Sequence, residues 1–262
     1  MATATADITT RAHAAQQAAR KLAGMSTAQK NRALARIKQE LEARQTEIFA
    51  ANQNDSSRSE KEGIAAPLLK RLRFDEKKLS SVLASIDGVV SLLDPTGRVL
   101  RSTELDDGLE LEQRTCPLGV IGMIFESRPD ALVQIASLCL KSGNAVMLKG
   151  GREAKETNAA LASAIAEGAA AEGVPDGWLQ LVETREDVTA MLTLDELIDL
   201  IVPRGSNDFV RYIMENTRIP VLGHADGVCH VFLDAQAAQE MAVDIVVDAK
   251  TQYVAVCNAV ET

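Results

Sequence analysis

Cys257 is the residue here best suited to nucleophilic chemistry. It stands in Lys250-Thr-Gln-Tyr-Val-Ala-Val-Cys-Asn-Ala-Val-Glu-Thr262, where a helical pattern gives way to a loop of small residues, and Asn258 follows it. Backbone N–H groups around such a loop can lower a thiol pKa from about 8.5 and hold an oxyanion. The other three cysteines offer less. Cys116 and Cys139 lie in apolar segments and read as core thiols. Cys229 precedes His230, but neighbours on a strand point to opposite faces.

Three polar stretches follow short apolar runs. Lys149-Gly-Gly-Arg152 sets two cations around two glycines ahead of a helical pattern. Amides at a helix N-terminus, with Lys149 and Arg152, suit an anion such as a ribose phosphate, and Gly150 and Gly151 admit it closely. Pro203-Arg-Gly-Ser206 repeats the arrangement, with Arg204 as cation, Gly205 for close approach and Ser206 as an N-cap. In Glu126-Ser-Arg-Pro129, Arg128 suits a carboxylate or phosphate, and Ser127 can donate to an oxyanion. Each stretch also reads as a solvated capping segment. Two such basic loops on one sheet edge favour a nucleotide, although no G-x-G-x-x-G fingerprint is present. Gly223-His-Ala-Asp-Gly-Val-Cys-His230 offers His224, Asp226 and His230 to a metal, but a loop shaping a pocket is the better reading. No metal is expected.

The elements that must carry these residues change character along the chain. Residues 1–93 read as helical. Ala12, Ala15, Ala19, Leu22 and Ala23 form one stripe, and Leu34, Ile37, Leu41 and Ile48 a second one opened by the capping box Ser26-Thr-Ala-Gln29. Residues 52–59 read as a polar break, and helical patterns resume at Leu68–Leu72 and Leu79–Ile86. The narrow, Ala-rich stripes suit a helical cover on a sheet. Residues 98–105 and 109–116, joined by Asp106-Asp-Gly108, read as a hairpin. From residue 117, apolar runs at 120–125, 145–148, 178–182 and 197–202 alternate with helical stretches, with shorter strands at 219–222 and 228–234. This is the pattern of an open, mostly parallel α/β sheet with crossover helices. Ligands bind such sheets beyond the carboxyl ends of the strands, where the three polar loops fall.

Composition narrows the class. The 262 residues are 46% hydrophobic, with a net charge of -9 and 3% aromatic residues. The acidity and the scarcity of aromatics argue against nucleic acid, and no apolar run of membrane-spanning length occurs. With no signal peptide pattern and no disulfide or metal spacing among the cysteines, a reducing cytoplasm is the expected compartment.

The segments 117–151, 198–206, 219–234 and 249–262 together resemble the gamma-glutamyl phosphate reductases (glutamate-5-semialdehyde dehydrogenases) of the aldehyde dehydrogenase superfamily. The match spans nearly everything from about residue 115. It implies an aldehyde-dehydrogenase-like fold, an NADP-binding domain over 1–226 and the start of a catalytic domain over 227–262. The implied reaction is NADPH-dependent reduction of L-glutamyl 5-phosphate to glutamate 5-semialdehyde and phosphate, in proline biosynthesis. Cys257 matches the family nucleophile, which forms a thioester, and the thioester is then reduced by hydride. By looser superfamily correspondence, Lys149 contacts the adenosine ribose and Arg152 meets a 2′-phosphate, hence NADP(H). Ser127 falls near an oxyanion-hole position, Arg128 meets substrate anion, and His224 stands near where oxidising relatives keep a glutamate. Val254 departs from a usual proline. The family continues beyond such a segment, so the resemblance implies an incomplete catalytic domain, an inactive 262-residue chain and a homo-oligomer at full length. An oxidising aldehyde dehydrogenase and a non-catalytic nucleotide-binding or interaction module are the competing readings.

Overall fold

Two apolar runs build the centre of the protein. The computed structural model describes residues 2–126, 128–205, 207–223, 228–252 and 259–261, with side chains from residue 7. Among these, β3 (Val120–Ile124) and β4 (Ala145–Lys149) pair in parallel, from Val120 opposite Ala145 to Ile124 opposite Lys149. Both are buried almost throughout, which is why they read as continuous apolar runs and not as alternating ones. β5 (Leu179–Leu181) adds in parallel beside β4, and β6 (Leu200–Pro203) beside β3. The order is therefore β5-β4-β3-β6. Val221 makes a parallel bridge to Ile201, a start on the next strand beyond β6.

The chain winds in two directions from β3. The helices α6 (Pro129–Lys141) and α7 (Lys155–Ala170) carry it outward through β4 to β5. A short helix, α8 (Arg185–Met191), then returns it to β6 on the far side of β3, and α9 (Asn207–Glu215) leads on. Right-handed crossovers put α6 and α7 on one face of the sheet and α8 on the other. The point at which the winding reverses lies between β3 and β6.

The N-terminal helices cover this sheet in two ways. α1 (Ala2–Leu22) lays its buried Ala12, Ala15, Ala19 and Leu22 on the sheet beside α8. α2 (Thr27–Ala43), α3 (Gln45–Lys61) and α5 (Glu76–Ser91) instead form an outer layer on α6 and α7, with α4 (Ala66–Leu72) against α3. The expected capping box is present: Ser26 Oγ accepts from Gln29 N at 3.3 Å, and Gln29 Oε1 from Ser26 N at 3.0 Å.

Three expectations are corrected. Residues 52–59 are not a break but the middle of α3. Asn52, Asp55 and Ser59 lie on its buried face, with Asn52 donating to Leu72 O at 2.9 Å and accepting from Phe74 N at 2.8 Å. Residues 228–234 hold no strand beyond a bridge from Cys229 to Val260, and Val228, Phe232 and Leu233 are exposed. Cys116 is exposed, whereas Cys139 is buried as expected and its thiol is pushed up to about 12 by desolvation. The hairpin is present as β1 (Val99–Asp106) and β2 (Leu109–Arg114), antiparallel and exposed along nearly its whole length. The helix before Cys257 is α10 (Gln239–Thr251).

Candidate active site

The carboxyl ends of β3, β4 and β6 bring the polar loops to one edge. Phe125 N donates to Lys149 O at 2.9 Å, and Arg204 N to Ile124 O at 2.7 Å, so the three strand ends are stitched together where the loops begin. The loop after β3 and the loop after β6 meet at the reversal point. A Cβ on Gly205 would stand 3.1 Å from Phe209 Cδ1 and 3.3 Å from Glu126 Oε1, a tight fit that glycine avoids. A crevice between the outgoing loops of a reversing sheet is where such folds seat a nucleotide.

Lys149 closes β4 half-buried. Its ammonium turns back onto Gly150 O at 2.5 Å. Burial lowers its pKa, partly countered by attraction to Glu153 and Asp187, and repulsion from Arg185 adds to the lowering. A cation held this way, with few protein partners, is suited to a ligand hydroxyl or phosphate. Arg152 begins a short 3-10 turn (Arg152–Ala154) and is 84% exposed. Its guanidinium lies 3.5 Å from Glu62 at the end of α3.

The N-terminus of α7 does not offer its first-turn amides to a ligand as the sequence suggests. The Asp55 carboxylate reaches from α3 to the start of α7, accepting from Thr157 N at 2.8 Å, Thr157 Oγ1 at 2.7 Å and Glu156 N at 3.3 Å. First-turn amides of α7 are thus occupied by the protein's own anion. An anion at residues 149–152 would be met by Lys149 and Arg152 instead.

Arg128 is exposed and leads into α6, its guanidinium 3.8 Å from Asp130, which Lys78 approaches at 3.1 Å. Arg204 is also exposed, at the start of the loop after β6. Cys257, Asn258, Ser127, Ser206 and His224 lie outside the described residues, as does Asp226. Two contributors were not singled out from the sequence, Asp55 and Asn158. Asn158 is buried in the first turn of α7 against Gly150, and its Oδ1 has no hydrogen-bond partner among the described residues. A signal for Asp55 was available, because Asn52, Asp55 and Ser59 recur at three- and four-residue steps. That is a polar stripe at helical spacing, facing a partner helix.

The sequence model of the aldehyde dehydrogenase family matches residues 1–261. This chain belongs to that family. Its members work with a nicotinamide cofactor, and the half-buried Lys149 ammonium at the end of β4 suits the hydroxyls or phosphates of such a group. The chain is 63% identical over 241 residues to gamma-glutamyl phosphate reductase of Pelotomaculum thermopropionicum, covering 92% of this chain and 56% of that one. It is 50% identical over 262 residues to the enzyme of the same name from Synechococcus elongatus, covering all of this chain and 61% of that one. The crystal structure of gamma-glutamyl phosphate reductase from Thermotoga maritima superposes with a TM-score of 0.92 at 34% identity, covering 97% of this chain and 62% of that one. The chain thus spans 56–61% of the length of the curated relatives it matches. Among the described residues, no helix is long and apolar enough to cross a membrane.

Proposed function

We propose that this chain is the cofactor-binding part, with the nucleophile segment, of an NADPH-dependent gamma-glutamyl phosphate reductase of proline biosynthesis. Residues 1–226 form the NADP-binding domain and 227–262 begin the catalytic domain. The observation that carries the reading is the meeting of the β3 and β6 loops at the reversal point, in a chain 63% identical to a reductase of that name. The soluble cytoplasm and a homo-oligomeric full-length form belong to the same proposal.

Each residue has a stated task. Lys149, with Gly150 and Gly151 beside it, holds the adenosine ribose. Arg152 takes the 2′-phosphate that distinguishes NADPH from NADH. Arg204, Gly205 and Ser206 take the pyrophosphate side, where the β6 loop opens α9. Arg128 and His224 hold the anionic ends of L-glutamyl 5-phosphate. The Cys257 thiolate attacks the acyl carbon, the carbon–oxygen bond to phosphate breaks, and phosphate leaves with its electron pair, giving a thioester. Ser127 and Asn258 donate to the carbonyl oxygen as negative charge builds on it. NADPH, when bound, would supply a hydride to the thioester carbon; the carbon–sulfur bond then breaks with its electron pair on sulfur, returning the Cys257 thiolate and releasing glutamate 5-semialdehyde.

The test uses a chain extended past Thr262 to the length of the relatives. It is expected to form semialdehyde from L-glutamyl 5-phosphate with NADPH and to lose that activity in Cys257→Ala. Activity retained by the variant removes Cys257 from the chemistry. Semialdehyde oxidation that proceeds equally without phosphate identifies an oxidising dehydrogenase instead.

A further inference from the structure

We propose that Glu62 is a specificity-determining residue that limits the preference for NADPH by holding a negative charge beside Arg152. The proposal rests on the reading of Arg152 as the partner of the 2′-phosphate. Glu62 caps the C-terminus of α3, its N–H donating to Arg58 O at 3.0 Å. The preceding turns of α3 are fixed to the start of α7. Asn54 Nδ2 lies 3.0 Å and Arg58 2.8 Å from the Glu156 carboxylate, and Asp55 caps the Glu156 and Thr157 amides. The root of Glu62 is therefore anchored to the same segment that carries Arg152.

The pair itself is loose. Arg152 and Glu62 side chains are 84% and 46% exposed and 3.5 Å apart. An ion pair this exposed orients its arginine little and adds little stability. What it does supply is a carboxylate beside the one cation proposed for a phosphate dianion. Lys155, the neighbouring cation, is engaged by Glu183 at 2.9 Å. An arriving 2′-phosphate must displace Glu62 and remain near its charge, whereas a cofactor with a free 2′-hydroxyl meets no such repulsion. Selectivity set by a repulsive neighbour is a common device.

The test titrates NADPH and NADH by nicotinamide fluorescence against the protein and its Glu62→Gln, Arg152→Gln and doubly substituted forms. Glu62→Gln keeps the backbone cap and is expected to tighten NADPH about 3- to 5-fold, the range an exposed pair allows. NADH affinity should not change, and the gain should shrink in 0.5 M salt, where the Debye length falls to roughly 4 Å. It should also shrink in the Arg152→Gln background. Unchanged or weaker NADPH binding in Glu62→Gln, with Arg152→Gln still weakening it, overturns the role of Glu62 and leaves that of Arg152. No loss of NADPH binding in Arg152→Gln, or no binding of either cofactor to any form, overturns both.

Discussion

The Asp55 side chain has no exposed surface, yet it carries a charge among four donors: two backbone amides of α7, the Thr157 hydroxyl and the Arg58 guanidinium. The arrangement caps one helix with another's carboxylate and fixes the segment bearing Arg152. Asp55→Asn preserves the volume but removes the charge and turns an amide toward donors that need an acceptor. We expect a loss of about 3 kcal/mol in urea unfolding, the scale for breaking a buried charged hydrogen-bond set. A loss below about 1 kcal/mol would mean that water, not Asp55, satisfies these amides. At this scale the sequence was informative where charge and glycine stand together, as in Lys149-Gly-Gly-Arg152. It was opaque at Asp55, whose partners on α7 lie 101 and 102 residues away. Polar residues read as surface until their partners are known.

Among elements, the close approach of α2 and α7 depends on Gly168. A Cβ there would lie 2.8 Å from Ile37 Cα and 2.9 Å from Ile37 N, both backbone atoms that cannot turn aside. Gly→Ala inside a helix ordinarily gains about 1 kcal/mol. Here Gly168→Ala must push the helices apart, so a net loss of about 1–3 kcal/mol is expected, read as a lower midpoint in chemical denaturation. A second joint ties α2 to the segment after α5. Lys30, 1% exposed, pairs with Asp94 at 2.7 Å, and Thr27 and Thr96 also donate to that carboxylate. Burial alone would raise the Asp94 pKa, but the hydrogen bonds from Lys30, Thr27 and Thr96 outweigh it and hold the group well below the usual carboxylate range. A carboxyl depressed in the folded state contributes stability above its unfolded pKa of about 3.9 and loses it as pH falls through the folded value. Asp94→Asn should therefore be less stable by about 3 kcal/mol at neutral pH, with Lys30 left buried and unpaired. The gap to the unaltered protein should narrow below about pH 4, and a gap constant with pH would count against the linkage. Elements were legible where one period dominated: β3 and β4 as buried runs, the hairpin from its Asp-Asp-Gly turn. The stretch 228–234 misled because apolar residues without a pairing partner carry the composition of a strand but none of its hydrogen bonds.

Across the whole molecule, burial is concentrated in the doubly wound sheet and thins toward the hairpin and α10. Val120, Val146, Met147 and Leu148 are fully buried, under α6 and α7 on one face and α1 and α8 on the other. In contrast, the hairpin leaves Leu100, Leu105, Leu109 and Leu111 exposed, and α10 buries no residue. A two-stranded ribbon without a packed face is marginal in water, and an isolated 13-residue helix gains little from propensity alone. Each is tied down mainly at its root: Thr115 N to Arg98 O and Gly97 N to Thr115 O for the hairpin, and Val260 N to Ala249 O for α10. Opening either exposes almost no new apolar surface, so it costs far less than opening the sheet. Hydrogen exchange read by mass spectrometry on this chain should show 99–114 and 239–251 exchanging through local opening while 120–124 and 145–149 follow global unfolding. Added denaturant separates the two regimes. The sheet amides should accelerate with the slope of global unfolding, and the hairpin and α10 amides should hardly respond until the midpoint. Protection of 239–251 equal to that of 145–149 would mean that α10 belongs to the same cooperative unit, and that its exposed Met241, Val243, Ile245 and Val247 are covered in solution.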